Sequence, residues 1–320
     1  MVTTRITQLL GIEHPIIGGA MMNISEPDFV AAISNAGALG MMASAMYPTQ
    51  DEFRRAVRRV KELTRKPFGV NLSLFPALRP LDNDLYIEII LEEGVPVAET
   101  SGQRPPEEML ARLKAAGVKT LHKCVSVRHA LKAEAAGVDA VTVFGSEGGG
   151  YIGGMGLSTI VLVPRVVDSL SIPVLAAGGI VDGRGLSAAL ALGAEGITLG
   201  TRLLLTTECP IHQNLKQALL SATEQDTLVI LGSLHNPVRV WKTTATLKVA
   251  ELESTGGDIN EILTIVAGAN ARYAYNEGDL DTVVISCSQS IGNIHEIKPV
   301  AEVIHAILQE ATTISRSITL

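Results

Sequence analysis

An α/β fold, a (β/α)8 TIM barrel with a helical insertion after its eighth strand, is the fold class that this sequence predicts. Three observations predict it: short apolar runs recur between residues 15 and 199, helical segments separate them, and several of those segments end in a glycine. Hydrophobic residues make up 47% of the 320 residues and charged residues only 18%. That composition suits parallel strands that are covered on both faces.

Eight dense apolar runs are the strand candidates, because runs without alternation are typical of strands buried on both faces. In chain order they span residues 15–20, 39–45, 68–72, 96–101, 120–124, 140–144, 173–177 and 196–199. Parallel neighbours need crossover connections, and helical patterns at 52–63, 107–116 and 127–136 supply three of them. Eight such units in this length of chain predict a closed barrel.

Glycines mark the helix ends that separate these units. Gly37, Gly94, Gly117, Gly137 and Gly193 each follow a helical segment and precede a strand candidate. A glycine at such an end adopts the left-handed conformation without a steric penalty from Cβ. The rival fold, an open doubly wound sheet, would carry G-x-G-x-x-G after its first strand, and the chain around residues 15–20 does not match that pattern.

The strand-helix period ends near residue 209. Residues 1–209 and 277–320 are therefore assigned to the barrel, and residues 210–276 to a helical insertion that covers the active site. Its predicted parts are helices at 211–222, 244–253 and 259–267 and a basic-aromatic turn at 239–242. The last barrel helix is predicted at 298–309. We expect the insertion to form a lid or the contact surface of a homodimer.

Composition also bears on partners and compartment. A net charge of −7 and an aromatic content of 3% argue against nucleic acid. No run approaches the roughly 18 apolar residues of a membrane span, so no membrane partner is expected. The three cysteines lack the spacing of a metal site and are expected to be reduced thiols in a cytoplasmic protein. A small-molecule substrate is the expected partner.

Two glycine-containing turns follow the seventh and eighth strand candidates, where TIM barrels commonly bind phosphate. Gly178 and Gly179 follow the seventh strand, and Gly200 and Thr201 follow the eighth. Glycines let backbone N–H groups approach a phosphate closely. The alternative is that these glycines only make tight turns, which two such loops at consecutive strand ends disfavour.

The fifth and sixth strand candidates also end in unusual residues. A glycine-rich run at 145–154 follows the sixth, and it either lets a flat ring lie against bare backbone or is a flexible loop. Lys123 closes the fifth strand, and a buried ammonium indicates an anionic ligand unless the side chain reaches solvent. Its neighbour His122 should face the opposite side of the strand and be structural.

These strand-end residues together resemble the nitronate monooxygenase superfamily, formerly called 2-nitropropane dioxygenases. The resemblance covers essentially the whole chain and is greatest to the bacterial NADH:quinone reductase branch, with the flavin-dependent enoyl-ACP reductases more distant. The matching blocks are His-Pro-Ile at 14–16, Pro-Phe-Gly-Val-Asn-Leu at 67–72, His-Lys-Cys at 122–124, Val-Arg-His-Ala-Leu-Lys-Ala-Glu at 127–134, Gly-Gly at 178–179, Asp-Gly-Arg-Gly-Leu at 182–186 and Gly-Thr-Arg at 200–202.

The resemblance implies a barrel that binds FMN. By position, Ala20, Met21 and Met22 would flank the isoalloxazine, and Ser73 would touch it from the third strand. Lys123 would lie near the N1–O2 edge of the flavin, where a cation stabilises the anionic reduced form. The residues implied to hold the ribityl phosphate and nearby atoms are Gly150, Gly178, Gly179, Gly200 and Thr201.

Two positions depart from the pattern of the superfamily. Tyr151 follows the glycine run where the superfamily carries the histidine credited with proton abstraction from nitroalkanes. Reference pKa values are about 10 for tyrosine and about 6.5 for histidine, so a tyrosine is a poor base at neutral pH but a competent proton donor. Leu78 stands where the quinone reductase branch carries a polar residue thought to meet the nicotinamide cofactor.

The leading hypothesis is therefore an FMN-dependent oxidoreductase in which NAD(P)H reduces the flavin and a quinone or an activated alkene is then reduced, with Tyr151 as the catalytic residue. One alternative is a nitronate monooxygenase that uses O2, because an ionised nitronate needs no base. A second is a flavin-dependent acyl-thioester dehydrogenase or enoyl reductase. A third, from another class, is a barrel enzyme that binds phosphate without redox chemistry.

Overall fold

The barrel is the centre of the computed structural model, which describes residues 3–74, 82–102 and 107–318. Eight parallel strands close in chain order, the last pairing with the first. They are β1 (Ile16–Gly18), β2 (Leu39–Ala43), β3 (Phe68–Ser73), β4 (Val97–Ser101), β5 (Lys119–Cys124), β6 (Ala140–Phe144), β8 (Val174–Ala177) and β9 (Gly196–Leu199). All eight predicted barrel strands are confirmed, and their ends differ from the predicted ones by at most a few residues.

Helices cover the outside of the barrel and extend beyond it. They are α1 (Arg5–Leu10), α2 (Pro27–Asn35), α3 (Gln50–Leu63), α4 (Asn83–Glu92), α5 (Glu107–Ala115), α6 (Val127–Ala136), α7 (Thr159–Val167), α8 (Gly183–Ala191), α9 (Thr201–Leu204), α10 (Gln213–Leu220), α11 (Thr244–Thr255), α12 (Ile259–Ile265), α13 (Gly268–Glu277) and α14 (Val300–Ser317), with short 3-10 helices at Ser44–Met46 and Gln289–Asn293. Gly137 ends α6 in the left-handed conformation, at φ +91°, as its position after a helical run predicted.

The segment 210–276 is not purely helical. Besides α10 to α13 it contains β10 (Thr227–Ile230) and β11 (Val238–Trp241), which form an antiparallel sheet with β7 (Gly150–Tyr151) in the order β10-β11-β7. The turn predicted at 239–242 is therefore largely a strand, in which Val240 is buried and its neighbours are partly exposed. The strand has only four residues, which are too few for an alternation of buried and exposed positions to be recognised in the sequence. The division of the chain at 210 and 276 remains a prediction.

The interior of the barrel changes from apolar to polar towards the C-terminal ends of its strands. At the lower end, Ile6 and Leu10 of α1 pack with interior residues such as Val97 and Leu121. Side chains two residues apart on a strand share a face, so the next interior positions after Val97 and Leu121 are Glu99 and Lys123. A polar layer therefore lies between the apolar core and the end of the barrel where TIM barrels bind their ligands.

Two further expectations concern thiols and membranes. Cys124, Cys209 and Cys287 are buried and form no disulfide, as predicted. Among the helices of residues 3–74, 82–102 and 107–318, none is long and apolar enough to cross a membrane.

Candidate active site

A cavity of about 400 Å³ opens at the C-terminal ends of the barrel strands. The loops after β1, β5, β6, β8 and β9 line it, together with Val266 after α12, with α13 and with the segment 284–290. Of the predicted site residues, those that line the cavity are Ala20, Met21, Met22, Lys123, Gly150, Tyr151, Gly178, Gly179, Gly200 and Thr201. Its size lies within the range of about 300 to 1,000 Å³ that is usual for small-molecule sites.

Ser73 is the one predicted site residue that does not line this cavity. It lies at the end of β3 beside Ser101, and its carbonyl oxygen accepts a hydrogen bond of 3.0 Å from Asn83 Nδ2. Asn71 and Ser101 line the cavity instead. Leu78, the other position singled out after this strand, lies outside the described residues.

Bare backbone forms the wall of the cavity after β8. Gly178 and Gly179 have φ values of +98° and +74°, in the left-handed region that favours glycine. A Cβ on Gly178 would lie 2.8 Å from the carbonyl oxygen of Gly145, so no other residue fits there without a shift of the backbone. This turn therefore brings peptide groups close to the cavity, which is what binding of a phosphate requires.

The neighbouring wall, at the C-terminal end of β9 and just after it, adds two hydroxyls. Thr201 Oγ1 accepts a hydrogen bond of 2.9 Å from the backbone N–H of Ser288, which leaves its proton free to donate. Thr198 Oγ1 is buried at the cavity and has no hydrogen-bond partner within the described chain. Because a buried hydroxyl without a partner is costly, Thr198 fits a polar ligand that supplies one.

The glycine run after β6 is packed rather than flexible. A Cβ on Gly148 would lie 2.3 Å from the ring of Phe144, and one on Gly149 would lie 2.6 Å from the backbone nitrogen of Cys287. Glu147 anchors the start of this run, since its carboxylate accepts hydrogen bonds of 3.0 Å from the backbone N–H of Thr159. The run therefore holds a fixed path along the cavity, and Glu147 has a structural partner.

Tyr151 reaches the cavity through the small sheet rather than through the barrel. It is the second residue of β7 and pairs with Val238 of β11. The strand pairing continues in a hydrogen bond of 3.1 Å from the backbone N–H of Ile152 to the carbonyl oxygen of Pro237. The hairpin of segment 210–276 thus fixes the backbone that carries Tyr151, a contact between distant parts of the chain.

Lys123 has a counter-ion within the protein, which the sequence did not reveal. Its Nζ lies 3.2 Å from Oε2 of Glu99, a residue of β4 that is completely buried. Asn71 Nδ2 donates a hydrogen bond of 2.7 Å to the same carboxylate oxygen. A sequence signal did exist: Glu99 is the only acidic or basic residue in the predicted strand 96–101 and, apart from His122, Lys123 is the only one in the predicted strand 120–124.

The two histidines near β5 have different environments. His122 is completely buried, its Nδ1 lies 2.7 Å from Thr100 Oγ1, and desolvation lowers its pKa to about 4. It does not line the cavity, in agreement with the predicted structural role. His129 does line it, from the first turn of α6, and no sequence pattern singled it out as a site residue. Burial lowers the pKa of His129, and the nearby Arg128 and Lys132 lower it further.

Comparison with known proteins shows the family. The sequence profile of the nitronate monooxygenase family matches residues 3–86 and 78–310. A probable nitronate monooxygenase of Staphylococcus aureus is 35% identical over 89% of this chain and 91% of its own length. A protein of Rhodococcus jostii, named as a (3aS,4S,5R,7aS)-5-hydroxy-7a-methyl-1-oxo-octahydro-1H-indene-4-carboxyl-CoA dehydrogenase, is 42% identical over 75% of this chain. The match covers 66% of the length of that dehydrogenase, slightly less than two thirds.

Solved structures agree with this assignment. The structure of FabK from Thermotoga maritima superposes with a TM-score of 0.92 and 39% identity, covering 99% of this chain and 98% of that one. A nitroalkane oxidase from Streptomyces ansochromogenes superposes with a TM-score of 0.87 and 26% identity, covering 98% and 99% of the two chains. The predicted superfamily and TIM barrel are both confirmed. The chain belongs to the nitronate monooxygenase family, a family of flavin-dependent oxidoreductases.

Proposed function

We propose that the cavity binds FMN and that the enzyme uses NAD(P)H to reduce an activated alkene or a quinone. The observation that carries the proposal is the combination, in one cavity, of a bare-backbone wall at Gly178 and Gly179 with Lys123 and Tyr151. Tyr151 has a phenolic hydroxyl and occupies the position at which the superfamily pattern has a histidine. A proton donor suits the reduction of a carbonyl-activated acceptor, whereas oxidation of a neutral nitroalkane requires a base.

The residues present fit a phosphorylated flavin. Gly178, Gly179, Gly200 and Thr201 would hold the phosphate, and the unpartnered hydroxyl of Thr198 offers a further hydrogen bond. Bound flavin would supply the redox chemistry, taking a hydride equivalent from NAD(P)H and delivering it to the acceptor. The protein would contribute the phosphate contacts, the orientation of both substrates and the local charge.

Two side chains would act on the bound molecules. The Lys123 ammonium lies at the cavity and would stabilise negative charge there. Tyr151 would donate a hydrogen bond to the acceptor's carbonyl oxygen from its hydroxyl and would supply a proton as charge develops on that oxygen. Its backbone is held by strand pairing, so its hydroxyl would be positioned before the acceptor binds.

A second candidate is redox chemistry on an acyl thioester, which is itself an activated substrate. The named activity of the Rhodococcus jostii relative, and of a Mycobacterium tuberculosis relative that is 41% identical, is dehydrogenation of a carboxyl-CoA compound. Reduction of an enoyl thioester would be the reverse direction of such chemistry and would use the same donor at Tyr151. Dehydrogenation instead needs a base for the proton on the α-carbon. His129 lines the cavity, and its lowered pKa favours the neutral imidazole that can accept a proton, although it also makes the imidazole a weaker base.

A third candidate is the nitronate monooxygenase activity after which the family and the Staphylococcus aureus relative are named. A nitronate is already ionised, so its oxidation would need no base in place of the superfamily's histidine. Oxygen uptake with propionate-3-nitronate measures this activity directly. A rate above that of NAD(P)H-driven acceptor reduction would favour this candidate over the leading one.

Anaerobic titration of the yellow protein with NADH and with NADPH tests the leading proposal. We expect one nucleotide to bleach the flavin band at about 450 nm, and a quinone or an enoyl thioester to restore it. Tyr151→Phe is the matched variant: bleaching should be unchanged and reoxidation by a carbonyl-activated acceptor slower. Failure of both nucleotides to bleach the band would overturn the proposal.

A further inference from the structure

Lys123 contacts one acidic side chain among the described residues, that of Glu99. Both residues belong to the polar layer of the barrel interior. Glu99 is 0% exposed, whereas the side chain of its partner Lys123 is 22% exposed. Asn71 and Lys123 line the cavity, and Glu99 does not. The ion pair is therefore oriented, with the ammonium towards the cavity and the carboxylate beneath it.

Three strands hold that carboxylate in place. Asn71 Nδ2 on β3 donates to Oε2 at 2.7 Å, and Thr142 Oγ1 on β6 donates to Oε1 at 3.4 Å. Lys123 Nζ on β5 completes the set at 3.2 Å from Oε2. An ionised carboxylate buried without such partners would be strongly disfavoured, so the contacts and the charge of Lys123 stabilise each other.

The geometry also limits how much charge Lys123 presents to a ligand. An isolated ammonium beside a flavin stabilises the anionic reduced form and raises the reduction potential. A carboxylate 3.2 Å from the same ammonium offsets part of that field, and the low dielectric of the barrel interior makes the offset larger than it would be in water.

We propose that Glu99 is a positioning residue that holds the Lys123 ammonium at the cavity and, by offsetting part of its charge, sets the reduction potential of the bound flavin. The inference rests on the flavin site of the proposed function and adds a residue that does not touch the cofactor. The inference predicts that removal of Glu99 and removal of Lys123 shift the reduction potential of the flavin in opposite directions.

The reduction potential of the bound flavin in Glu99→Gln and Lys123→Met tests that pattern. Glu99→Gln keeps an acceptor for Asn71 but removes the negative charge, so the potential becomes more positive than that of the wild type. In the same variant, the preference for reduced over oxidised flavin, measured as a ratio of dissociation constants, rises roughly 10- to 100-fold, the order expected for one unit charge about 6 to 12 Å away at an effective dielectric of about 20. In Lys123→Met the potential becomes more negative.

Thr100→Val is the matched control. Thr100 is the next residue on β4, is equally buried, and its hydroxyl contacts His122 rather than the cavity. It should lose stability without a change in potential. An unchanged or more negative potential in Glu99→Gln would overturn the inference, as would an equal shift in Thr100→Val. If Glu99→Gln does not fold, Glu99→Asp lengthens the ion pair and should give a smaller shift of the same sign.

The two proposals fail in different ways. A wild-type protein that takes up no FMN, or whose flavin neither nucleotide reduces, contradicts the proposed function. A wild-type protein that binds flavin normally, with the same potential in Glu99→Gln, contradicts only the role of Glu99.

Discussion

Substitution of Gly178 by alanine tests whether the turn after β8 holds the flavin phosphate. Gly178 has φ +98°, and an L-residue in the left-handed region costs about 1–2 kcal/mol. The new Cβ would also lie 2.8 Å from the carbonyl oxygen and 3.1 Å from the nitrogen of Gly145. Both are backbone atoms, so relief requires the β6 and β8 loops to separate, and overpacking of this kind costs a further 1–3 kcal/mol, roughly. We expect a total loss of about 3 kcal/mol in the free energy of unfolding.

Gly137→Ala separates the cost of the backbone conformation from the cost at the site. Gly137 has φ +91°, but the nearest atom to its Cβ would be Lys114 Nζ at 3.6 Å, an ordinary contact with a flexible side chain. It should lose about 1–2 kcal/mol in urea unfolding of the apoprotein and bind FMN as the wild type does. Gly178→Ala should bind FMN at least tenfold more weakly, about 1.4 kcal/mol, by fluorescence titration. Equal FMN affinity in the two variants would refute the assignment of this turn to the phosphate.

Three further predictions concern the side chains around the cavity. Tyr151→Phe should lower the rate of acceptor reduction and leave flavin affinity unchanged. Tyr151→His should gain activity on neutral nitroalkanes in an oxygen-uptake assay. Unchanged turnover in Tyr151→Phe would show that Tyr151 has only a packing role. Lys123→Met should cost about 3–5 kcal/mol in urea unfolding because it leaves Glu99 buried without its counter-ion, and the double variant with Glu99→Gln should recover part of that loss; strictly additive losses would contradict the coupling. Burial lowers the pKa of His122 to about 4 in the folded protein, whereas the pKa of a histidine in the unfolded chain is about 6.5. Between these two pH values the unfolded chain binds a proton at His122 and the folded protein does not. Stability should therefore fall by up to about 3 kcal/mol between pH 6.5 and 4, and His122→Gln should reduce that slope; an identical slope would rule out His122 as its source.

The barrel could be predicted because its signals are local. A helix that ends in glycine and is followed by a dense apolar run can be recognised within a dozen residues, as at Gly137, and repetition of that unit fixes the topology. The two glycine turns that we propose hold the phosphate could be placed for the same reason, since that expectation follows from their position after the seventh and eighth strands.

The remaining parts of the site depend on contacts between distant residues. Ser288 donates its backbone N–H to Thr201 across 87 positions of sequence, and no local pattern indicates that pairing. The hairpin that carries Val238 to Tyr151 is equally distant. Glu99 is a different case. The sequence placed both Glu99 and Lys123 in barrel strands, but their register became known only with the structure: Ser101 lies opposite Lys123, and Glu99 lies two pairs below, opposite Leu121.

That register changes the argument about substrate. From the sequence alone, Lys123 indicated an anionic ligand, because a lone ammonium at a strand end would attract negative charge. With Glu99 at 3.2 Å, much of that charge is balanced inside the protein, and the attraction for an anion is correspondingly weaker. The electrostatic attraction for an anionic nitronate is weakened most by this balanced charge. Binding of a neutral quinone, enone or enoyl thioester depends instead on a hydrogen-bond donor for its carbonyl. We propose Tyr151 as that donor, so the ion pair and the tyrosine favour the same class of acceptor for independent physical reasons.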